Sequence, residues 1–342
     1  MEWLSTPWPV TVSIAAFVLA GVTITYFGLR LTVVVDVLAD RTRMGEAFAG
    51  AILLAGATSM AGLVVSVVAA ADGNASLAVS NSVGGIAAQT AFIVVADLTY
   101  RRANIEHAVA SLANIFLTFL LVGLLGVVLM GVMAPDWAIL QVHPATVVLA
   151  GVYFYGMHLA RQVGDNPMWT PRRTAETLID VPDAASMRQA LVPLFARFFL
   201  FGAVVAGSGF VVAQAGLSLI ETTGMGGTLV GAFFTGVITS APELVTSVAA
   251  VRAGALTLAV AAIVGGNSFD VLFIAISDGV YREGSIYQAI GQGDVFVLAW
   301  TMSLAAILGA GLVRRQRHGI GFEGVAILTL YAAGAVVVSF IG

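Results

Sequence analysis

The chain has 342 residues, of which 59% are hydrophobic and 10% are charged, and its formal net charge is -4. Its mean hydropathy of +0.98 excludes a soluble domain, because no soluble fold of this size could hide so much apolar side chain from water. There is no lysine and no basic patch, so a nucleic-acid partner is not expected. The absence of cysteine excludes disulfides, thiolate metal sites and cysteine nucleophiles. These properties predict an all-α polytopic membrane protein whose surroundings are the lipid bilayer.

Apolar runs long enough to cross about 30 Å of hydrocarbon occur ten times, which predicts ten transmembrane helices. The first run carries Arg30 and Asp36 and lacks a cleavage site, so we expect a retained helix rather than a signal peptide. In chain order the runs cover residues 10–39, 45–71, 77–99, 107–133, 142–160, 190–220, 226–251, 255–280, 293–313 and 320–341.

The arginines predict the orientation in the membrane. They fall in alternating loops, near residues 41–43, 101–102, 161–188, 252 and 314–317, and only Arg282 lies clearly on the other side. Because cytoplasmic loops carry the excess of positive charge, these loops are expected in the cytoplasm and both termini outside it. The predicted location is the plasma or inner membrane, with multiple passes.

One segment of the sequence is duplicated. Residues 44–90 align without a gap onto residues 225–271, and 18 of the 47 paired positions are identical. Five predicted spans precede the second half and five belong to it, so the copies enter the membrane from opposite sides. We therefore expect a first five-helix repeat at residues 1–161, a cytoplasmic linker at 162–189 and a second five-helix repeat at 190–342. Inverted repeats of this kind are typical of secondary transporters, which bind their substrate near the midplane where the copies meet.

Interrupted helices are predicted within both copies. Pro242 lies inside an apolar span, where it removes one backbone hydrogen bond and frees carbonyl groups that can bind a cation. The pairs Gly84-Gly85 and Gly265-Gly266 are expected to weaken their helices and let neighbouring backbones approach closely.

The two copies differ in their ionisable residues. Glu243 in the second copy aligns with Gly62, and Asp270 aligns with Gln89. Glu243 lies nine residues from Arg252, hence about 13 Å inside the membrane on a helix. An ionised carboxylate at such depth is costly unless a cation, a proton or hydrogen-bond donors compensate it, so two acids at similar depth predict a cation site. The oxygens of Thr239, Ser240 and Asn267 could complete it.

A structural interpretation of these residues stays open at this point. Ser240 and Glu243 have the spacing of a capping box, in which the glutamate only satisfies amides at a helix end. Asn267 could be an N-cap and Asp270 a first-turn partner of the helix dipole. The segment Gly291-x-Gly293-Asp294 matches the GxGD box of intramembrane aspartyl proteases, but it falls at the mouth of a span and no PAL element follows it.

Two segments carry a family resemblance. Residues 239–247, TSAPELVTS, and residues 265–270, GGNSFD, resemble the second α-repeat of the calcium/cation antiporter superfamily, which includes the sodium/calcium exchangers. Residues 58–63, TSMAGL, and 81–85, NSVGG, resemble its first α-repeat. The resemblance covers both repeats and implies the ten-helix inverted fold of a sodium/calcium exchanger. It also implies a metal site formed by Glu243, Asp270, Thr239 and Ser240, with Thr58, Ser59 and Gln89 contributed by the first repeat.

The first repeat departs from the family pattern. Ala61 and Gly62 stand where the family has a proline and then a glutamate, and Ile86 replaces an asparagine. Two carboxylates offer a charge of about -2, which balances one Ca²⁺ or two Na⁺ but leaves no charge for a divalent ion plus additional sodium.

The resemblance implies a secondary active transporter rather than an enzyme. The first hypothesis is cation antiport by alternating access, with Ca²⁺ exchanged for Na⁺ or H⁺. The alternatives are a monovalent cation/proton exchanger, in which Glu243 binds and releases the proton, and an uncoupled channel or uniporter on the same scaffold. An intramembrane protease and a purely structural membrane protein are the rivals from other classes. No cofactor is implied, since the cation is the substrate, and the sequence does not fix the oligomeric state.

Overall fold

The computed structural model describes residues 6–42, 55–99, 111–170, 190–253, 256–316 and 320–341. Throughout these ranges the chain is helical apart from turns, and its β-structure is limited to one bridge between Ile139 and Val142. The predicted all-α class is therefore confirmed. Residues 171–189 of the predicted linker 162–189 lie outside the described residues, as do the arginines at 43, 101, 102, 172, 173, 188 and 317, so the domain boundaries and the orientation stay predictions.

The helices alternate between long spans and short broken segments. A π-helix, Val230–Thr235, joins the short α-helices Gly227–Leu229 and Gly236–Thr239. In chain order the α-helices are α1 Val10–Thr42, α2 Ala55–Thr58, α3 Met60–Ala71, α4 Ala75–Thr99, α5 Leu112–Met133, α6 Pro144–Asp165, α7 Leu191–Thr223, α8 Gly227–Leu229, α9 Gly236–Thr239, α10 Ala241–Ala253, α11 Leu256–Asp270, α12 Leu272–Val280, α13 Ile286–Ala289, α14 Gln292–Arg314 and α15 Gly321–Ile341.

Seven helices of the described chain are long and apolar enough to cross a membrane, or eight when the bent pair that meets at Ser240 is one span. The second predicted span is described only from residue 55, as α2 and α3, and the fifth is present as the 22-residue helix α6. The count of ten stays a prediction.

Helix α4 lies at the centre of the bundle. In the most apolar stretch of α4, 89% of the residues are buried, whereas the corresponding share is 22% in α7 and in α15. Helix α4 is therefore an inner helix, and α7 and α15 lie on the outside of the bundle. It packs against α3, the π-helix, α9, α10, α11 and α14, while α1 lies along α7. The largest core cluster surrounds α4, α5, α11, α12 and α14.

Glycine allows the close contact of α4 with the π-helix and α9. A Cβ atom on Gly236 would lie 2.8 Å from the backbone nitrogen of Gly85, and one on Gly84 would overlap the backbone of Ala232. Both distances are shorter than a carbon atom tolerates, so the backbones of the two repeats touch here. The close approach predicted for Gly84-Gly85 is confirmed. The predicted weakening of these helices is wrong, because α4 and α11 run without a break through Gly84-Gly85 and Gly265-Gly266.

The helix breaks fall at equivalent positions of the two repeats. The chain bends by 43° at Ser240, between α9 and α10, which confirms the interruption predicted beside Pro242. Ser59 separates α2 from α3 in the same way, although Ala61 stands where the second copy has proline. At this break the chain packs closely against Gly209 of α7, since a Cβ there would lie 2.7 Å from the Ala61 carbonyl oxygen.

Candidate cation site

A small cavity lies where the broken helices of the two repeats meet α4. It is lined by residues of α3, α4, α9, α10, α11 and α12 together with the breaks at Ser59 and Ser240. The centre of a water molecule could reach about 10 Å³ of this cavity, so the cavity has room for roughly one water. The lining residues are Ser59, Gly62, Asn81, Ser82, Gly85, Gln89, Thr239, Ser240, Glu243, Asp270 and Phe273.

Both predicted carboxylates border this cavity. Glu243 is 7% exposed and Asp270 is 3% exposed, and the two groups are close enough to interact electrostatically. Glu243 lies in the first turn of α10, just after the bend, and Asp270 is the last residue of α11. The two breaks thus bring acids from different helices to one point.

Gln89 joins the first repeat to Asp270. Its amide nitrogen donates to Asp270 Oδ2 at 2.8 Å and to Ser240 Oγ at 3.1 Å. Because an ionised carboxylate only accepts hydrogen bonds, the nitrogen of Gln89 must face Asp270. Gln89 and Asp270 are equivalent positions of the repeat, so the two copies meet here through a neutral amide and an acid.

The remaining predicted ligands divide into three groups. Ser59, Thr239 and Ser240 line the cavity, and the Thr239 hydroxyl donates to the carbonyl of Thr235 at 2.9 Å, which leaves its lone pairs available. Thr58 does not line the cavity but its hydroxyl faces the Glu243 carboxyl. Asn267 is not among the residues that line the cavity; it lies inside α11, where its amide donates to Thr90 Oγ1 at 3.3 Å.

The structural interpretations of these residues are wrong. In a capping box the Glu243 carboxylate would accept from the Ser240 amide, but that amide donates to the Gly236 carbonyl at 3.2 Å. Asn267 lies in the interior of α11 and is no N-cap, and Asp270 ends the helix instead of beginning one.

Glu243 and Asp270 contain buried oxygens that the protein itself leaves unbonded. Among the described residues no group forms a hydrogen bond with either Glu243 side-chain oxygen or with Asp270 Oδ1. The Thr58 hydroxyl and the backbone amide of Glu243 face the Glu243 carboxyl, and the Ser59 hydroxyl faces the Asp270 carboxyl, but none of these contacts reaches hydrogen-bond geometry. The side-chain oxygens of Ser59, Asn81 and Gln89 are likewise buried and unbonded within the described chain. A buried oxygen without a donor costs about 1–3 kcal/mol, and more when it is charged.

Two other buried aspartates show the opposite arrangement. Asp294 accepts four hydrogen bonds of 2.7 to 2.9 Å, from the hydroxyls of Ser76, Ser80 and Thr228 and from the Gly291 amide. Asp278 also accepts four, from the amides of His143 and Ile286 and the hydroxyls of Thr146 and Ser285.

These two carboxylates are compensated by the protein, so each anchors neighbouring elements and needs no ion. Asp294 faces three hydroxyls rather than a second carboxylate, which fits an anchor and does not fit an aspartyl dyad.

Asn81, Ser82 and Phe273 belong to the cavity but were not predicted as site residues. The Ser82 hydroxyl donates to the Asp270 carbonyl at 2.7 Å, and the Phe273 ring occupies the space beside Gly62. Asn81 lies in the first copy of the repeated segment, but the aligned residue of the second copy is Ala262, so a comparison of the two copies does not single it out.

The fold is similar to that of several solved protein structures. The "H+/Ca2+ Exchanger CAX" has a TM-score of 0.66 with 15% identity, covering 96% of this chain and 85% of that one. YfkE has a TM-score of 0.64 with 16% identity, covering 97% and 93%. The sodium-calcium exchanger NCX_Mj soaked with Na⁺ and Sr²⁺ has a TM-score of 0.60 with 16% identity, covering 96% and 99%. At these identities the similarity shows the fold.

A comparison with curated proteins gives no match. The family described as "Sodium/calcium exchanger protein" matches residues 12–159 and 193–340, which together make up most of the chain and leave out the predicted linker. The protein is therefore a member of the sodium/calcium exchanger family.

Proposed function

We propose that this protein is a secondary active cation antiporter that carries its substrate through the cavity between Glu243 and Asp270 by alternating access. The observation that carries the proposal is the contrast among its buried acids. Asp278 and Asp294 each receive four hydrogen bonds, whereas both side-chain oxygens of Glu243 receive none from the described residues. A buried carboxylate without donors needs a cation or a proton.

The oxygen ligands suit a hard cation. Carboxylate, hydroxyl and amide oxygens border the cavity, and the described residues that line it include no histidine, cysteine or methionine. Ca²⁺ takes six to eight oxygen ligands at about 2.3–2.6 Å and accepts irregular geometry, so bends and side chains from several helices can supply them. Ca²⁺ exchanged for Na⁺ or H⁺ is accordingly the first substrate assignment.

The charge of the site sets the stoichiometry that we propose. Two carboxylates carry a charge of about -2, and one of them already shares its Oδ2 with the Gln89 amide. One divalent ion, or two monovalent ions, neutralises this pair. Exchange of one divalent ion for two monovalent ions moves no net charge, so we expect transport that is insensitive to membrane potential.

A monovalent cation/proton exchanger is the second candidate. It is favoured by the neutral first repeat, where Gly62 and Gln89 stand in place of acids and leave the cavity with few anionic ligands for a divalent ion. In this case Glu243 alternates between a proton and the monovalent cation.

The experiment is ion flux into proteoliposomes that contain the purified protein. Imposed gradients of Ca²⁺, Mg²⁺, Na⁺, K⁺ and H⁺ identify the transported pair, and a potential clamped with valinomycin and K⁺ reports the charge moved per cycle. Glu243→Gln and Asp270→Asn are expected to abolish flux, while Asp136→Asn, the same change at an exposed acid, should leave it intact. Flux that persists without a counter-ion would identify a uniporter, and unaltered flux in both carboxylate variants would refute the site.

A further inference from the structure

Asn81 is held in one orientation by its neighbours. Its amide nitrogen donates to the Gly62 carbonyl at 2.9 Å and to Ser66 Oγ at 2.9 Å. A carbonyl oxygen can only accept, so the nitrogen and not the oxygen must face Gly62. Ser66 gives the same answer, because its own hydroxyl proton is donated to the Ala78 carbonyl at 2.9 Å. The hydrogen-bond network therefore fixes which way the amide points.

The fixed amide leaves an unbonded oxygen. Asn81 is 2% exposed, and its Oδ1 has no hydrogen-bond partner in the described part of the chain. The residue lines the same cavity as Glu243 and Asp270. Since that cavity has room for about one water-sized particle, an ion inside it contacts walls from both repeats.

The position of Asn81 relates it to the missing acid of the first repeat. The nitrogen of Asn81 binds the backbone of Gly62, the residue that aligns with Glu243. A Cβ atom at position 62 would lie 3.1 Å from the Phe273 ring, so a side chain there requires the ring to shift. Asn81 thus adds a neutral amide oxygen to the residues of the first repeat that line the cavity.

We propose that Asn81 is a ligand of the transported cation and that its neutral oxygen sets the cation preference of the site. The inference rests on the proposed function of the cavity. Asn81 contributes an oxygen without charge, so the total charge of the ligands stays at that of Glu243 and Asp270. Ca²⁺ is bound by amide carbonyl oxygens of asparagine as well as by carboxylates, so the chemistry fits.

The test compares Asn81→Leu, which keeps the volume but has no oxygen, with Asn81→Ala, which removes the side chain. Asn74→Ala serves as the matched control, because Asn74 caps the same helix through the Leu77 amide at 2.9 Å and lies outside the cavity. Binding of Ca²⁺ and Na⁺ to the purified, detergent-solubilised full-length protein is measured by calorimetry and by the shift of melting temperature on adding each salt.

We expect at least a tenfold weaker affinity for the bound cation in both Asn81 variants, together with a changed ratio of Ca²⁺ to Na⁺ affinity. Asn74→Ala should lower the melting temperature in cation-free buffer but keep the wild-type affinities. Wild-type affinities in a folded Asn81 variant would overturn the proposal and leave Asn81 as a link between α3 and α4.

Glu243→Gln separates this failure from a failure of the proposed function. If Glu243→Gln loses cation binding and the Asn81 variants do not, only the role of Asn81 is wrong. If Glu243→Gln also binds normally, the cavity itself is not the cation site.

Discussion

The substitution Gln89→Glu would place a second acid opposite Asp270, where the two repeats now meet through an amide and an acid. In the protein, Gln89 Nε2 lies 2.8 Å from Asp270 Oδ2 and donates a hydrogen bond to it. A glutamate has nearly the same shape, so its oxygen would occupy the nitrogen's place and face another oxygen. The Ser240 hydroxyl, which now accepts from the same nitrogen at 3.1 Å, can rotate to donate instead.

The size of the effect follows from the distance. Two unit charges 2.8 Å apart repel by about 6 kcal/mol at an effective dielectric constant of 20. In the cation-free variant this repulsion is relieved in part by a shared proton. A divalent cation relieves it further, and if about 1.4 kcal/mol of the repulsion is recovered on binding, the affinity rises about tenfold.

Calorimetric titration of the purified variant with Ca²⁺ measures this change, and we expect at least tenfold tighter binding than in the wild type at neutral pH. Gln89→Met is the matched control, since it removes the hydrogen bond without adding a charge, and it should not strengthen Ca²⁺ binding. If Gln89→Glu binds Ca²⁺ no more tightly than Gln89→Met does, then Gln89 does not face the bound ion and the charge argument fails.

Three further experiments test other parts of the structure. Phe273→Ala removes the ring that would lie 3.1 Å from a Cβ at position 62, and Gly62→Glu is added to this variant. The double variant should bind divalent cations at least tenfold more tightly than Phe273→Ala alone. Equal affinities in calorimetry would mean that position 62 does not reach the ion. Asp294→Asn should destabilise the protein by about 1–3 kcal/mol, because two donors lose their acceptor, and cation affinity should not change; a melting temperature equal to the wild type would contradict the anchoring role. Gly84→Ala should lower the free energy of unfolding by about 1–3 kcal/mol or more, because the new Cβ overlaps the π-helix. Gly123→Ala, whose Cβ would meet no atom within 4 Å, should not lower the melting temperature. Similar melting temperatures for the two variants would refute the close backbone contact.

The membrane character, the bend at Ser240 and the two acids of the cavity could be predicted from the sequence because each has a local cause. The composition alone requires a bilayer, and Pro242 removes a helix hydrogen bond wherever it falls. The duplication then showed that Glu243 and Asp270 lack acidic counterparts, and the cost of burying a charge made them candidates. These arguments need no knowledge of which helices touch.

The bonding of the acids could not be predicted, because it depends on partners far away in the chain. Two of the donors to Asp294 are Ser76 and Ser80, more than two hundred residues earlier in the chain. Without knowledge of these donors, Asp294 cannot be distinguished from Asp270 as a candidate ligand. The orientation of Asn81 depends on the Gly62 carbonyl of the neighbouring helix α3, a contact that the sequence does not reveal. Asn267 has a fitting residue type and position in the motif, yet it is not among the residues that line the cavity.

The capping-box interpretation failed for a local reason that only the backbone reveals. The helix bends at Ser240 without unwinding, so the Ser240 amide keeps its hydrogen bond to Gly236 and offers nothing to Glu243. The equivalent break at Ser59 occurs with no proline.

The position of the bound ion tests the central claim most directly. Crystals of the protein soaked in turn with Sr²⁺ and Tl⁺, which anomalous scattering locates as substitutes for a divalent and a monovalent cation, should show a peak between Glu243 and Asp270. We expect that peak within about 3 Å of at least one oxygen of each carboxylate. Anomalous peaks confined to other parts of the protein, or no peak from either ion, would contradict a cation site in this cavity.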